Sequence, residues 1–316
     1  MSNLLLRELS LVGHRCPIIT ADHRDYERYR KVWNGVADRR PAAIVRPQSV
    51  DDVRKVVHAA AASHALLAVR GGGHSLPGFS TCDGGLVLDL SDLTAVAIDR
   101  DTHTIEVGGG ALLGDLDRAT VPEGFVVPAG VISHTGVAGL TLGGGMGWAS
   151  RRYGLTIDSL LGAEIVTAAG DIVWASATSE PELFWGIRGG GGNFGVVTRF
   201  KFGMHPLGSI VVGQWSYPAA NMRQALQTLR DRAHGQPRDF TLNFTGDSHG
   251  SQRDSGLVRR CCPHSLGSVA VRGACRWRHR KRRQTALSQP AEPERRALRM
   301  VTTILLQGRI LVGNHR

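Results

Sequence analysis

Four runs of glycine constrain this chain more than any other feature: Gly71–Gly73, Gly108–Gly110, Gly143–Gly145 and Gly189–Gly192. Glycine makes up 40 of the 316 residues, about twice the usual share of roughly 7%. A linker would scatter them, whereas here they are bunched beside apolar strands. That placement points to backbone running close to other backbone or to a ligand, or to turns that need a positive φ. The intervals between runs are uneven, so the chain is not an array of short repeats.

Hydrophobic residues make up 42% and charged residues 21%, as in a soluble globular protein of about two domains. The charge is unevenly placed. The whole chain carries +11, yet residues 251–316 alone hold 15 Lys and Arg against 3 Asp and Glu. The first 250 residues are therefore nearly neutral, and a basic tail follows them. Cys16 and Cys82 precede the tail and Cys261, Cys262 and Cys275 lie in it, which is no disulfide framework. Met1–Cys16 contains Arg7 and His14 and lacks a continuous apolar run. A cytoplasmic protein with no membrane partner is the expectation.

Strand and helix patterns alternate along the first part of the chain. Ala43–Val45 reads as a strand. Ser49 reads as a helix N-cap with Asp51 and Asp52 in the first turn, followed by Val53, Val56, Val57 and Ala60 at helical spacing. Leu66–Val69 is a strand that runs into Gly71, and Leu86–Leu90 is another. Val96–Ile98 with Thr104–Val107, and Ala163–Ala168 with Ile172–Trp174, read as hairpins. Leu112–Ala119 and Pro181–Ile187 are short helical stretches, and Gly195–Phe202 is a strong strand. Strand Ser209–Tyr217, helix Ala219–His234 and strand Phe240–Phe244 follow. After about Gly246 the pattern fails, and no Phe or Tyr occurs from Thr245 onward. Only Val301–Leu306 and Arg309–Val312 are strand-like there, so disorder is expected for this segment.

The glycine segments carry the chemistry. In Arg70-Gly71-Gly72-Gly73-His74-Ser75, successive backbone N–H groups can form a nest for phosphate oxygens; a plain tight turn is the competing reading. Pro128–Gly130 and then Gly136–Trp148 thread apolar residues between glycines, the kind of wall a flat aromatic ring needs, or else a glycine-rich β corner. Gly190, Gly192 and Gly195 spell G-x-G-x-x-G. That motif must follow a strand and open a helix to hold a dinucleotide, and here the order is reversed. Ser133-His134 lacks the G-x-S-x-G surroundings of a hydrolase nucleophile.

Taken in series, Arg70–Ser75, Pro128–Gly147, Tyr153–Asp158 and Trp185–Thr198 resemble the FAD-linked oxidases that carry a PCMH-type FAD-binding domain. The likeness is to their berberine-bridge-enzyme-like branch, which includes hydroxynicotine and oligosaccharide oxidases. Asp25-Tyr26, Trp33-Asn34 and Arg40-Pro41 are similar to that family's N-terminal stretch. The resemblance implies an α+β fold: a two-subdomain FAD-binding domain followed by the start of a truncated, sheet-based substrate domain. The division expected is a lead-in over 1–19, the FAD-binding domain over 20–207, a partial substrate domain over 208–246 and an aberrant basic tail over 247–316.

The same resemblance implies FAD as cofactor. Arg70, Gly71, Gly72, Gly73, His74 and Ser75 would cradle the pyrophosphate, with His74 bonded to the flavin 8α carbon. Gly136, Gly139, Gly143 and Gly144 would line pyrophosphate and flavin. Tyr153, Gly154 and Asp158 would lie near the adenosine side, and Asn193, Gly195 and Val197 would close the other wall. Many relatives have a second, cysteine tether where this chain has Ile132, so a single bond is expected. The implied reaction is oxidation of a small organic substrate by hydride transfer to flavin, with oxygen or another acceptor taking the electrons. The catalytic base comes from a part of the family that has no counterpart here and is unassigned.

The resemblance stops where the basic composition begins, and a frameshift or similar lesion between about Thr245 and Arg259 is expected. Two other readings remain: a catalytically dead flavin-binding remnant, and nucleic-acid binding by the basic residues around Trp277. Cys262, His264, Cys275 and His279 are too irregularly spaced to recommend a zinc site.

Overall fold

Ala43-Ile44-Val45 is apolar at every position because its sheet is covered on both faces. The computed structural model describes residues 3–10, 16–208, 210–218, 222–247 and 299–307. The chain divides into two units, Met1–Gly208 and Ser209–Arg316. The first unit opens with α1 (Asn3–Ser10), β1 (Ile18–Thr20), α2 (Tyr26–Arg30), β2 (Ala43–Val45), α3 (Val50–Ala62), β3 (Leu67–Arg70) and β4 (Leu86–Asp89). The strands lie in the order β1-β2-β4-β3, with β2, β4 and β3 parallel and β1 antiparallel at the edge.

Side chains alternate between the two faces of this sheet, as the strand period requires. Ala43, Val45, Leu86 and Leu88 pack with Val53, Val56, Val57 and Ala60 of α3. Ile44, Ala68 and Val87 pack with Ile19 and Tyr26 on the other side. Ser49 caps α3, its Oγ accepting from the Asp52 backbone N–H at 3.2 Å, and Asp51 and Asp52 complement the helix dipole. The start of the chain is more than a lead-in. Leu5 and Leu9 are buried in the α3 core, and Ile18 pairs with Val45. Elements of three and eight residues are too short to carry a readable period.

The second subdomain contains β5 (Val96–Asp99), β6 (Thr104–Gly108), α4 (Leu113–Thr120), β7 (Phe125–Val126), α5 (Val137–Leu142) and α6 (Ser150–Tyr153). Then come β8 (Leu160–Val166), β9 (Ile172–Ser176), α7 (Pro181–Gly190), β10 (Val196–Gly203) and β11 (His205–Pro206). Five of these strands form an antiparallel sheet in the order β5-β6-β10-β8-β9, and β7 pairs with β11. Ile105, Val107, Ala163, Ile165, Phe200 and Phe202 line its core face, against Leu113 and Leu116 of α4, Val137 of α5 and Ile187 of α7. Phe200 and Phe202 are fully buried, each worth about 1.5–3 kcal/mol of transfer free energy. On the opposite face Arg199 donates to Glu106 at 2.9 Å and to Glu164 at 3.1 Å.

The run Gly108–Gly110 serves the junction of the two sheets. A Cβ at these positions would overlap the carbonyl oxygens of Leu93, Val197 and Leu90 respectively. Of the expectations about the other glycine segments, one changes and one holds. Val137–Leu142 is a helix bounded by Gly136 and Gly143 rather than a glycine-rich β corner. Arg188–Gly195 begins inside α7 and passes through a 3-10 turn, Gly191–Phe194, into β10. The helix-then-strand order that sets aside the dinucleotide fingerprint is therefore real.

The second unit contains β12 (Ile210–Pro218), α8 (Met222–Ala233), β13 (Phe240–Asp247) and β14 (Arg299–Gln307). β14 lies between β12 and β13, antiparallel to both. The strand-like run Val301–Leu306 lies within β14, so the disorder expected of the tail does not extend to these nine residues. Met300–Leu306 is uncharged and rich in β-branched residues, unlike the basic sequence before it, and so suits a central strand. The run Trp277–Arg283, the Cys262, His264, Cys275 and His279 set, and Arg309–Val312 lie outside the described residues. Among the described residues no helix is long and apolar enough to cross a membrane. Nor does any group of three or more His, Cys, Asp or Glu there have a metal-holding arrangement.

Candidate cofactor-binding site

β3 delivers Arg70 to the carboxyl end of a parallel strand, the side of an α/β sheet where ligands bind. Gly71, Gly72 and Gly73 follow, and Gly73 takes a φ of +68°, which a side chain would resist. The loop is fixed from outside. Trp33 N donates to Gly73 O at 3.1 Å, and Asn34 Nδ2 donates to Leu76 O at 2.7 Å. Arg39 Nη1 donates to Gly78 O and Thr81 O at 3.0 and 2.9 Å. Ser75 Oγ accepts from Phe79 N at 3.0 Å. Gly72 rests directly on Gly136, so that a Cβ on either would overlap the backbone of the other. Gly136 thus allows the second glycine segment to sit on the first.

A cavity of about 290 Å³ opens beside this loop, lined by Gly71–Gly73 together with Lys31, Trp33, Arg70, Asp89 and His134. Arg70 is only 6% exposed. Its Nη1 donates to Tyr29 O and lies 3.6 Å from Asp89 Oδ2. Its Nη2 is buried and has no partner. An orphaned buried donor costs about 1–3 kcal/mol, and more when charged; an anion in the cavity removes that penalty. Burial pulls the Arg70 guanidinium below its ordinary pKa, against the opposing influence of Asp89 and Cys82. A guanidinium still keeps its proton at neutral pH.

His74 stands where the loop leaves the cavity. Its Nε2 is 2.6 Å from Nδ1 of His134, and the two rings are 4.7 Å apart. Trp33 stacks on the other side at 5.2 Å and 19°. Burial, and then the neighbouring His134, hold His74 below the usual imidazole pKa, which favours the neutral, nucleophilic form. His134 is the residue that sequence reasoning missed. In the sequence it stands out only beside Ser133, because its distance along the chain from His74 leaves no local signal.

The remaining expected residues do not line this cavity. Gly139 lies exposed on α5, and a Cβ there would meet nothing within 4 Å. Gly143 ends α5, and Gly144 follows with a φ of +109°. Tyr153 donates to Pro206 O at 2.6 Å and stacks on His205 at 4.4 Å. Gly154 ends α6 with a φ of +87°. Asp158 accepts from Leu155 N at 2.8 Å and lies 3.7 Å from Arg188. Asn193 Nδ2 donates to Gly190 O at 2.7 Å. Gly195 opens β10 beside Val166, and Val197 is buried opposite Ile165 in the sheet. α5 packs on α7 and on the 3-10 turn after it, so Gly139, Gly143 and Asn193 come from adjoining elements.

A cationic, donor-rich floor, three glycines and a rim imidazole fit the pyrophosphate and reactive end of a flavin dinucleotide. The comparisons agree. Residues 41–176 match the family described as FAD binding domain. An FAD-linked oxidoreductase of Dictyostelium discoideum is 40% identical over 207 residues, 66% of this chain and 45% of that protein. The crystal structure of 6-hydroxy-D-nicotine oxidase from Arthrobacter nicotinovorans aligns with a TM-score of 0.76 at 27% identity, covering 94% of this chain and 56% of that one. Glucooligosaccharide oxidase from Acremonium strictum, described as carrying a 6-S-cysteinyl, 8α-N1-histidyl FAD, aligns with a TM-score of 0.70 at 30% identity, covering 77% of this chain and 52% of that one. Fold and site thus define an FAD-binding protein of mixed helix and sheet. More narrowly, the chain belongs, through its first unit, to the family of PCMH-type FAD-linked oxidases. It spans about half the length of the curated relatives it matches.

Proposed function

We propose that the chain holds FAD through Arg70 and Gly71–Gly73, bonds it to His74, and oxidises a small organic substrate. The observation that carries this reading is the orphaned Arg70 nitrogen beside three glycines, with a depressed-pKa imidazole at the rim. The first pair suits a diphosphate, since guanidinium and backbone N–H groups are strong phosphate donors. The imidazole suits bond formation with an electrophilic carbon. The histidyl-bound FAD of the glucooligosaccharide oxidase supports the tether.

In this reading Ser75 closes the loop, and Gly136, Gly139, Gly143 and Gly144 flank the cofactor. Tyr153, Gly154 and Asp158 shape its adenosine side, while Asn193, Gly195 and Val197 form the opposite wall. Bound there, the flavin supplies a hydride acceptor whose electrons pass to oxygen or another acceptor. The protein's share is to hold the ring, exclude water and fix the tether. Ile132 stands where a second tether would be, which favours amines, alcohols and aromatic-ring substrates over the oligosaccharides taken by doubly tethered relatives.

The test is anaerobic titration of purified, flavin-loaded protein with panels of amines, alcohols and sugars. Bleaching of the flavin absorbance by one class is the expected result. A bound flavin that none of them bleaches contradicts the oxidising role and marks the chain as a binding remnant.

A further inference from the structure

We infer that His134 is a positioning residue for the tether: it takes the proton of His74 Nε2 and so frees Nδ1 to bond the flavin. The inference rests on the covalent attachment proposed above and adds a residue to it. The two rings come from loops 60 positions apart, yet their nitrogens are 2.6 Å apart. Only one proton fits between two imidazole nitrogens at that distance. When it is on His74 Nε2, the lone pair of Nδ1 is the one left available. The opposite tautomer protonates Nδ1 and blocks it.

Several contacts hold the pair in place. Trp33 stacks within 19° of parallel on His74, restricting its rotation. The loop bearing His134 is pinned on both sides of that residue. Ser133 O accepts from Gly114 N at 2.8 Å and Thr135 O from Leu113 N at 2.9 Å. Thr135 N in turn donates to Ile132 O at 3.0 Å. The seating of Gly136 on Gly72 brings the two loops together. His134 itself is exposed, so a proton taken at Nδ1 can leave from Nε2 to water.

The bond-forming step then balances. Nδ1 of His74 forms a bond to the 8α carbon, and one C–H bond of that methyl group breaks, releasing a proton. The Nε2 proton passes to His134. The electron pair of the broken C–H bond is taken up by the ring system. Dioxygen removes this pair together with two protons and departs as hydrogen peroxide. His134 is the hydrogen-bond partner of His74 Nε2, so without it the attack would leave a charged, half-buried imidazolium.

The test uses the full chain, produced in a riboflavin-starved host as wild type, His134→Ala and His134→Gln, then mixed with FAD in air. Acid-precipitable flavin fluorescence over time reports the tether, and flavin released on precipitation reports simple binding. Wild type should accumulate tethered flavin. Both variants should bind FAD yet tether it about 10²-fold more slowly, the scale of a lost acid–base partner. Added imidazole should restore part of the rate in His134→Ala, which a purely structural role would not produce. Tethering at the wild-type rate in both variants overturns the inference while leaving the FAD reading intact. So does slow tethering that imidazole leaves unchanged. Wild type that binds no FAD at all overturns both.

Discussion

Glycines that look alike in the sequence do different work, and substitution separates them. Gly72→Ala pushes a methyl into the Gly136 backbone and should cost about 1–3 kcal/mol, the usual penalty of overpacking. Gly139→Ala meets open space on a helix and should raise stability by about 0.5–1 kcal/mol, while the proposed role of Gly139 beside the cofactor predicts weaker FAD binding. Urea unfolding of the two variants decides this, and equal destabilisation would contradict it. Arg70→Lys keeps the charge near Asp89 but loses the orphaned Nη2. In a His74→Ala background, where the tether cannot mask affinity, FAD binding measured by fluorescence quenching should weaken about tenfold or more, as for loss of a charge-assisted hydrogen bond. His74 was legible because it closes a glycine loop in a recognisable series of motifs. His134 was not, because only the Gly72–Gly136 contact brings it within reach.

Elements differ in how openly the chain announces them. Strands β2, β4, β8 and β10 showed in runs of alternating or continuous apolar residues, and Ser49 marked the start of α3. Helix α5 was hidden: Val-Ala-Gly-Leu-Thr-Leu is short and contains a glycine, which costs about 1 kcal/mol in a helix. Burial of Val137 and Leu142 in the core outweighs that. β14 showed as the strand-like run Val301–Leu306, but nothing local announced its place between β12 and β13. The β7–β11 pair carries a pH dependence. His205 on β11 bonds Ser159 through Nε2 at 2.9 Å, and burial lowers its pKa; burial also lowers that of His74. Both histidines take a proton more readily when unfolded, near pH ~6.5. Their contribution is therefore complete above that value and is lost as pH falls through the lower folded-state pKa values. Melting temperature should drop between pH 7.5 and pH 5.5, and His205→Asn should flatten the slope. An unchanged slope would show that these imidazoles do not govern the acid limb.

For the whole molecule, a nearly neutral first unit with two sheets and its own cores carries every candidate cofactor-binding residue, while the basic excess lies in residues 251–316. The fold class was readable from patterning and motif order. The sheet of the second unit was readable only in part, since its central strand comes from far down the chain. Binding and folding should be linked. With the tether removed by His74→Ala, added FAD should raise the melting temperature of the full chain logarithmically with concentration, adding about 2.7 kcal/mol at a hundredfold excess over Kd. The central claim, that this chain carries its flavin on His74, is tested most directly by peptide mapping with mass spectrometry on protein from a flavin-replete host. The account predicts that the peptide containing His74 carries one FAD, and that the His74→Ala protein carries none on any peptide. An unmodified His74 peptide from wild-type protein, or a flavin found on another residue, would contradict it.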